Sequence, residues 1–329
     1  MSTAQSPVAG HDGFARMFAP GRLTVGAFFP LEAYAGPVPT NDDQVELAQA
    51  AERAGLAALW VRDVPLLDPG FGDGGQLYDP WVWLTHIGAH TSTISLATGS
   101  VILPLRHPIH LAKSAASIDL ISGNRLVLGI ATGDRPVEFP AFGRPIEERG
   151  ELFRESFATL RKLWGSSYAE SRGAFGRWAG VDVLPKPSLG TIPLLVTGSS
   201  RQSMSWIAEN SDGWLAYPRL DLDTHLRVVT GWHAAVASAG AGFKPFAQSL
   251  YVDLAEDPSL PPRPIHLGFR CGADWLVNYL EVLRQAGVNH VGLNFKFSRR
   301  PVADVLAELG EHVRTHFPPH APAAVPSLD

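Results

Sequence analysis

Ile94 to Gly133 reads ISLATGSVILPLRHPIHLAKSAASIDLISGNRLVLGIATG, and the pattern is strand, helix, strand. Ile94 to Leu103 is an apolar run rich in β-branched residues, as a buried strand is. Pro104 and Pro108 stop that strand and open a helix, in which Leu111, Ala115, Ile118 and Ile121 recur at helical spacing. Gly123 closes the helix, as a left-handed residue past its end would. Arg125 to Ala131 is a second apolar run. A crossover of this length makes the two strands parallel, and parallel strands are covered on both faces, so neither run alternates.

The same unit repeats outward. Before it lie strands at Leu23 to Leu31 and Leu56 to Val61, with a helix between them that Thr40 or Asn41 can cap. Asp79-Pro80 starts the helix that leads into Ile94. After it come strands at Ile192 to Gly198, Gly213 to Tyr217, Phe246 to Leu254 and His290 to Phe295. Helices are expected at Ser200 to Asn210, Leu222 to Ala239, Gly272 to Ala286 and Val302 to Thr315, and Gly55, Gly123, Gly213 and Gly287 punctuate helix ends. One region breaks the rhythm, residues 134–190, with its own helix from about Glu147 to Trp164 and short strands in FGRWAGVDVLPKP. Eight strand–helix units close into a parallel β/α barrel with its site at the carboxyl ends of the strands. A doubly wound open sheet competes, but no glycine-rich turn follows the first strand. The expected organisation is one barrel domain over residues 1–317, an insertion after strand four, and a loose Pro/Ala-rich tail over 318–329.

Composition narrows the function. Apolar residues make up 45% and charged residues 18% of 329, the balance of a globular enzyme. A net charge of -5 leaves no footprint for nucleic acid or an anionic membrane. A single cysteine, Cys271, excludes an internal disulfide and a cysteine-built metal site. No apolar stretch reaches the length of a membrane span, and residues 1–20 lack the apolar core of a secretory signal, so a cytoplasmic protein is expected. GFGDGG, within the loop from Val64 to Leu77, neither follows a strand nor opens a helix, so it reads as a loop and not a nucleotide fingerprint. No G-x-S-x-G elbow, H-E-x-x-H or P-loop is present, and the histidines lack metal-ligand spacing.

Polar residues gather where the strands end. Thr197-Gly198-Ser199-Ser200-Arg201-Gln202 offers amides, hydroxyls and a guanidinium to an anion such as a phosphate; an N-cap beside an exposed arginine is the plainer reading. Thr98-Gly99-Ser100 puts a glycine inside a buried strand, the mark of a bulge or of close approach to a flat ligand. His107 stands at a helix start on the same face, as catalyst or as cap. Arg62 and Asp63, then Thr132, Asp134 and Arg135, end two further strands, where an ion pair across the mouth is the alternative to a catalytic role. Arg270, Arg299 and Arg300 stand in the late loops, as guards of a site or as solvated surface.

Leu96 to Gly133, LATGSVILPLRHPIHLAKSAASIDLISGNRLVLGIATG, resembles the signature block of the bacterial luciferase-like flavin-dependent oxidoreductases. The resemblance runs on through AERAGLAALWVRD, YDPWVWL, VLPKP, LLVTGSSRQSMSWIAENSDGWL and LRQAGVNHVGLNF, in the family's order, from about Leu23 to Phe317. It implies a β/α barrel with an insertion after strand four, and FMN, or in some branches a deazaflavin, at its carboxyl mouth. By the resemblance Ser199 and Ser200, with Gly198, hold the flavin phosphate, and Thr132 lies beside phosphate or ring. Thr98, Gly99 and Ser100 form a bulge under the isoalloxazine, with a non-prolyl cis bond at Gly99-Ser100. Many members carry a histidine shortly after strand two, in a tryptophan-valine-x-acid-histidine pattern. Here WVRDVP has Val64 in its place, which leaves Arg62 and His107 as the candidate catalytic groups. The implied activity is a monooxygenase that takes reduced FMN from a separate reductase and uses dioxygen on a small organic substrate. A deazaflavin-dependent hydride transfer and a non-catalytic flavin-binding barrel are the alternatives. A homodimer through the helices of Trp81 and His107 is implied by analogy.

Overall fold

The structure, a computed structural model, describes residues 7–68, 70–71, 78–219 and 221–321. Residues 72–77, which hold most of the glycine-rich loop, and 322–329, most of the expected tail, lie outside the described residues.

Eight parallel strands form the closed wall: β1 Thr24–Phe28, β2 Ala58–Val61, β3 Ser95–Ile102, β4 Leu126–Ala131, β5 Leu194–Thr197, β6 Gly213–Ala216, β7 Phe246–Leu254 and β8 His290–Asn294. Each pairs with the next in chain order, and β8 returns to β1 in the register Thr24↔His290, Val25↔Val291. Closure rules out the open sheet and removes the unpaired edges such a sheet would leave. The strands are almost wholly buried because helices cover the outside and packed side chains fill the inside.

The outer helices are α1 Gln44–Arg53, α2 Pro80–His90, α3 Pro108–Ile121, α4 Arg149–Gly165, α5 Met204–Asn210, α6 Leu222–Ser238, α7 Ala273–Ala286 and α8 Val302–His316. None is long and apolar enough to cross a membrane, among the described residues. Asp79 caps α2, its carboxylate accepting from the amides of Trp81 (2.9 Å) and Val82 (3.3 Å), with Pro80 next in the chain. Gly55, Gly123 and Gly287 are left-handed after α1, α3 and α7, but Gly213 opens β6 instead of closing a helix. Thr40 and Asn41 do not cap α1. Both amides donate to the Glu32 carboxylate, and the cap position falls to Asp43, whose side chain makes no capping bond.

The insertion between β4 and β5 carries α4 and a two-stranded hairpin, Ser171–Gly173 with Gly176–Trp178; VDVLPKP forms no strand. A second hairpin, Arg263–Ile265 with Gly268–Cys271, falls in a segment whose first half reads as a Pro-rich loop. Its second strand runs parallel to the upper half of β7, Gly268 opposite Tyr251 and Cys271 opposite Leu254.

Inside the barrel, Phe28, Trp60, Ala97, Val127, Leu195, Leu215 and Ala247 form a core of their own. A short helix at Asp12–Met17 closes the amino end, adding Phe14, Met17 and Phe18 to that core. His11 caps the helix and meets Asp119 at 2.9 Å, both side chains fully buried. Above the plug, Trp60 stacks on Phe28 with ring centroids 5.6 Å apart.

Candidate active site

Two adjoining cavities open at the carboxyl ends of the strands, of about 280 and 300 Å³. Arg62, Gly99, Asp134, Thr197 and Tyr217 line both. The shared wall is the bulge in β3. Pairing with β4 runs Thr98↔Leu128, then slips to Val101↔Ile130, and the Gly99–Ser100 bond is cis. Thr98 is fully buried and lines neither cavity; its hydroxyl donates to the Gly129 carbonyl at 2.8 Å, holding β4 against the bulge. Gly129 has to be glycine, since a Cβ there would stand 2.1 Å from the Thr98 carbonyl oxygen.

Gly99, Ser100, Thr132, Gly198, Ser199 and Ser200 all line the first cavity, so the structure gathers six of the seven expected cofactor residues. Ser100 and Thr197 share a hydrogen bond between their hydroxyls. The segment after β5 is not a helix start. Gly198, Ser200 and Arg201 are left-handed, with φ of 55°, 42° and 59°, and α5 begins only at Met204 under a Ser203 cap. Left-handed residues in sequence shape the concavities that gather amides around an anion. The Ser200 hydroxyl is committed to the Thr197 carbonyl at 2.7 Å, so that residue offers its amide, whereas Ser199 and Arg201 are exposed. Gln202 ties the loop to the Gly150 carbonyl of α4 at 3.0 Å. Arg149, from the same helix start, is a cavity residue that the sequence reading did not single out. Hydroxyls, amides and guanidiniums form a donor set that suits a phosphate dianion. No group of three or more metal-binding side chains occurs among the described residues.

Arg62 lines both cavities, as a candidate at the site must. His107 lines neither. Its Nδ1 accepts from the Ile109 amide at 3.3 Å, and its Nε2 donates to the Phe175 carbonyl at 2.7 Å, so it caps α3 and pins the insertion hairpin. Asp63 is held in an ion pair, but its partner is Arg106. Two bonds of 2.7 Å join them, the Ile102 amide adds a third at 3.2 Å, and these carboxylate contacts push the Arg106 guanidinium pKa up against the cost of its burial. Glu138 is a buried carboxyl on the first cavity. Burial pushes its pKa up, and Arg135, 3.8 Å away, opposes the shift. The late arginines are fasteners: Arg270 and Arg299 meet Asp253 at 2.6 and 3.3 Å, and Arg300 meets Glu308 at 2.6 Å.

The second cavity is more apolar. Phe28 and Leu215 belong to its floor side, and Phe71, Tyr217, Tyr251 and His266 to its walls. Tyr217 ends a predicted strand and Asn294 is one residue short of the end of another, a signal that could have found them; His266 belongs to the unforeseen hairpin.

Comparison with known proteins bears on this geometry. The family model described as luciferase-like monooxygenase matches residues 23–259. An uncharacterized protein of Mycobacterium tuberculosis is 36% identical over 165 residues, 49% of this chain and 58% of that one, so the chain spans little more than half of that relative's length. The F420-dependent hydroxymycolic acid dehydrogenase of Mycobacterium tuberculosis is 29% identical over 256 residues, covering 76% of this chain and 70% of that one. The oxygenase component of a flavin-dependent trigonelline monooxygenase from Acinetobacter baylyi is 30% identical over 148 residues, 44% and 39% of the two chains. In fold, the monooxygenase RslO1 from Streptomyces bottropensis superposes with a TM-score of 0.75 at 20% identity, over 90% of this chain and all of that one.

Proposed function

Because the chain belongs to the luciferase-like monooxygenase family, we propose that it is an oxidoreductase that binds FMN across its two cavities and uses the reduced form with dioxygen on a small organic substrate. The observation that carries this reading is the pair of cavities joined at the β3 bulge, lined by hydroxyls and guanidiniums on one side and largely apolar on the other. Bound FMN would supply the electron pair that dioxygen accepts. The chain supplies the rest. Ser199, Arg201 and Arg149 hold the phosphate, with Ser100 and Thr132 beside it. The Gly99–Ser100 backbone takes one face of the ring. Phe28 and Leu215 keep water from beneath it. Arg62, at the seam, stabilises negative charge that builds on oxygen.

The Acinetobacter relative is named as an oxygenase component, which supports a separate flavin reductase. Exposed Val82 and Ile121, on α2 and α3, support a homodimer through those helices. A deazaflavin-dependent hydride transfer is the second reading, favoured by the longer match to the F420-dependent dehydrogenase.

Calorimetric titration with FMN and with a deazaflavin decides the cofactor, and oxygen uptake by the reduced-FMN form decides the chemistry. Tighter FMN binding, and oxygen uptake coupled to a product bearing oxygen from the gas, is the expected result. A deazaflavin preference of about tenfold or more, or about 1.4 kcal/mol, moves the assignment to hydride transfer. Binding of neither overturns both.

A further inference from the structure

Several of the described histidines, His11, His107, His225 and His290 among them, have ring nitrogens bonded inside the fold. His266 is an exposed imidazole, the one histidine lining either cavity, and no group among the described residues bonds its ring nitrogens. Its surroundings are aromatic: Tyr251 lies 5.7 Å away edge-on and Phe297 6.3 Å away.

Position is imposed on it. His266 and Leu267 form the tip of the hairpin beside β7, and Leu267 is left-handed with φ 48°. Gly268 lets that tip lie against β7, since a Cβ there would stand 1.8 Å from the Tyr251 carbonyl oxygen. Arg270, two strand residues on, is tied to buried Asp253 of β7. The amide of Tyr251 donates to the Leu267 carbonyl at 3.1 Å. A hairpin fastened at its base and at its tip presents the imidazole to the cavity.

The cavity itself selects by shape and charge. Phe28, Phe71, Tyr217 and Tyr251 offer ring faces and edges, and Arg62 and Asp134 carry opposite charges. Such walls favour a flat neutral ring over a polyanion.

We propose that the part of the second cavity beside His266, away from the Gly99 wall, binds a planar aromatic substrate bearing an ionisable hydroxyl, and that His266 takes the hydroxyl proton. This rests on the reading above, in which a tricyclic cofactor occupies the wall at Gly99. In the step, the substrate O–H bond breaks and an N–H bond forms on the imidazole. The electron pair stays on the substrate oxygen and enriches the ring carbons ortho and para to it, the positions an oxygen-transfer reaction attacks. The charged and titratable groups around His266 are Arg62 and Asp134 across the cavity, Tyr217 and Tyr251 on β6 and β7, Arg270 on its own hairpin, and Lys296 beyond Phe297.

Para-nitrophenol tests this, because its ionised form is coloured. FMN-loaded protein is titrated with it across pH, alongside H266Q and Y217A. Bound probe should ionise about one pH unit below free probe, a gain of about tenfold in the ratio of ionised to neutral form at a given pH. H266Q should retain FMN and bind the probe but lose that gain, and Y217A should weaken probe binding about tenfold. Equal ionisation in the wild type and H266Q overturns the role of His266. Failure of FMN-loaded protein to bind the probe overturns the substrate class while leaving the cofactor reading intact. Failure to bind FMN overturns that reading and this inference with it.

Discussion

The indole Nε1 of Trp60 donates to Nε2 of His290 across 3.0 Å, deep inside the barrel. That bond fixes the tautomer. Nε2 is the acceptor, so Nδ1 carries the proton and donates to the Thr24 hydroxyl at 2.8 Å, which donates in turn to the Met17 carbonyl at 2.7 Å. The chain of bonds joins β2, β8, β1 and the plug helix, and it works only with a neutral imidazole.

Acid should therefore loosen the barrel through His290. Burial holds its pKa down at about 3, against about 6.5 in an unfolded chain. The unfolded state thus binds a proton that the folded state refuses, and the stabilisation is full above pH 6.5 and lost as pH falls towards 3. A loss on the order of 4 kcal/mol is expected over that range. Urea unfolding at a series of pH values checks this. His290→Gln should be less stable at pH 8 and show a shallower decline in acid.

Asp63 and Arg106 lock the end of β2 to the exit of β3. Asp63→Asn keeps the shape and removes the charge, leaving a guanidinium that is three-quarters buried facing a neutral amide. Because Arg106 keeps some solvent and a second partner in Asp79, a loss of about 2 kcal/mol is expected, not the full cost of orphaning a buried charge. Guanidinium unfolding of the single and double variants would give the coupling directly; additive effects would contradict it.

Phosphate recognition should separate from ring recognition if FMN is the ligand. Ser199→Ala with Arg201→Gln should weaken FMN by about tenfold to a hundredfold and riboflavin by less than about threefold, since riboflavin lacks the group these residues meet. Quenching of flavin fluorescence reads both affinities. Equal losses for the two ligands would place the phosphate elsewhere.

His107→Ala removes a helix cap and the clamp on Phe175. Stability should fall by roughly 1–2 kcal/mol while FMN affinity holds within about twofold. A selective loss of FMN binding, measured by the same titration, would return His107 to the site.

The eight strands were legible because their apolar runs do not alternate, as Leu126 to Ala131 shows, and because Gly55, Gly123 and Gly287 stop helices on schedule. Strand ends pointed to the loop after β5, since a barrel brings all eight ends to one mouth. What stayed hidden depends on distance and on competition. Nothing local says that Asp63 pairs with Arg106, 43 residues on, and not with Arg62 beside it. Ser200 looks like a helix cap, yet its hydroxyl turns back to Thr197 and the helix waits for Ser203. PPRPIHLGF carries too many prolines to read as a strand pair, and its hairpin forms because β7 offers it an edge above β8. His107 has the right address and a structural occupation.

That hairpin joins the sheet outside the closed ring, against the upper half of β7 alone. Every pairing that shuts the barrel is made without it. Selection can therefore recut this turn, in length or in the side chain at its tip, and leave the folding scaffold intact. Relatives that bind other molecules are expected to diverge first at this interchangeable cassette, and grafting one short turn is the economical route to redirecting what the barrel binds.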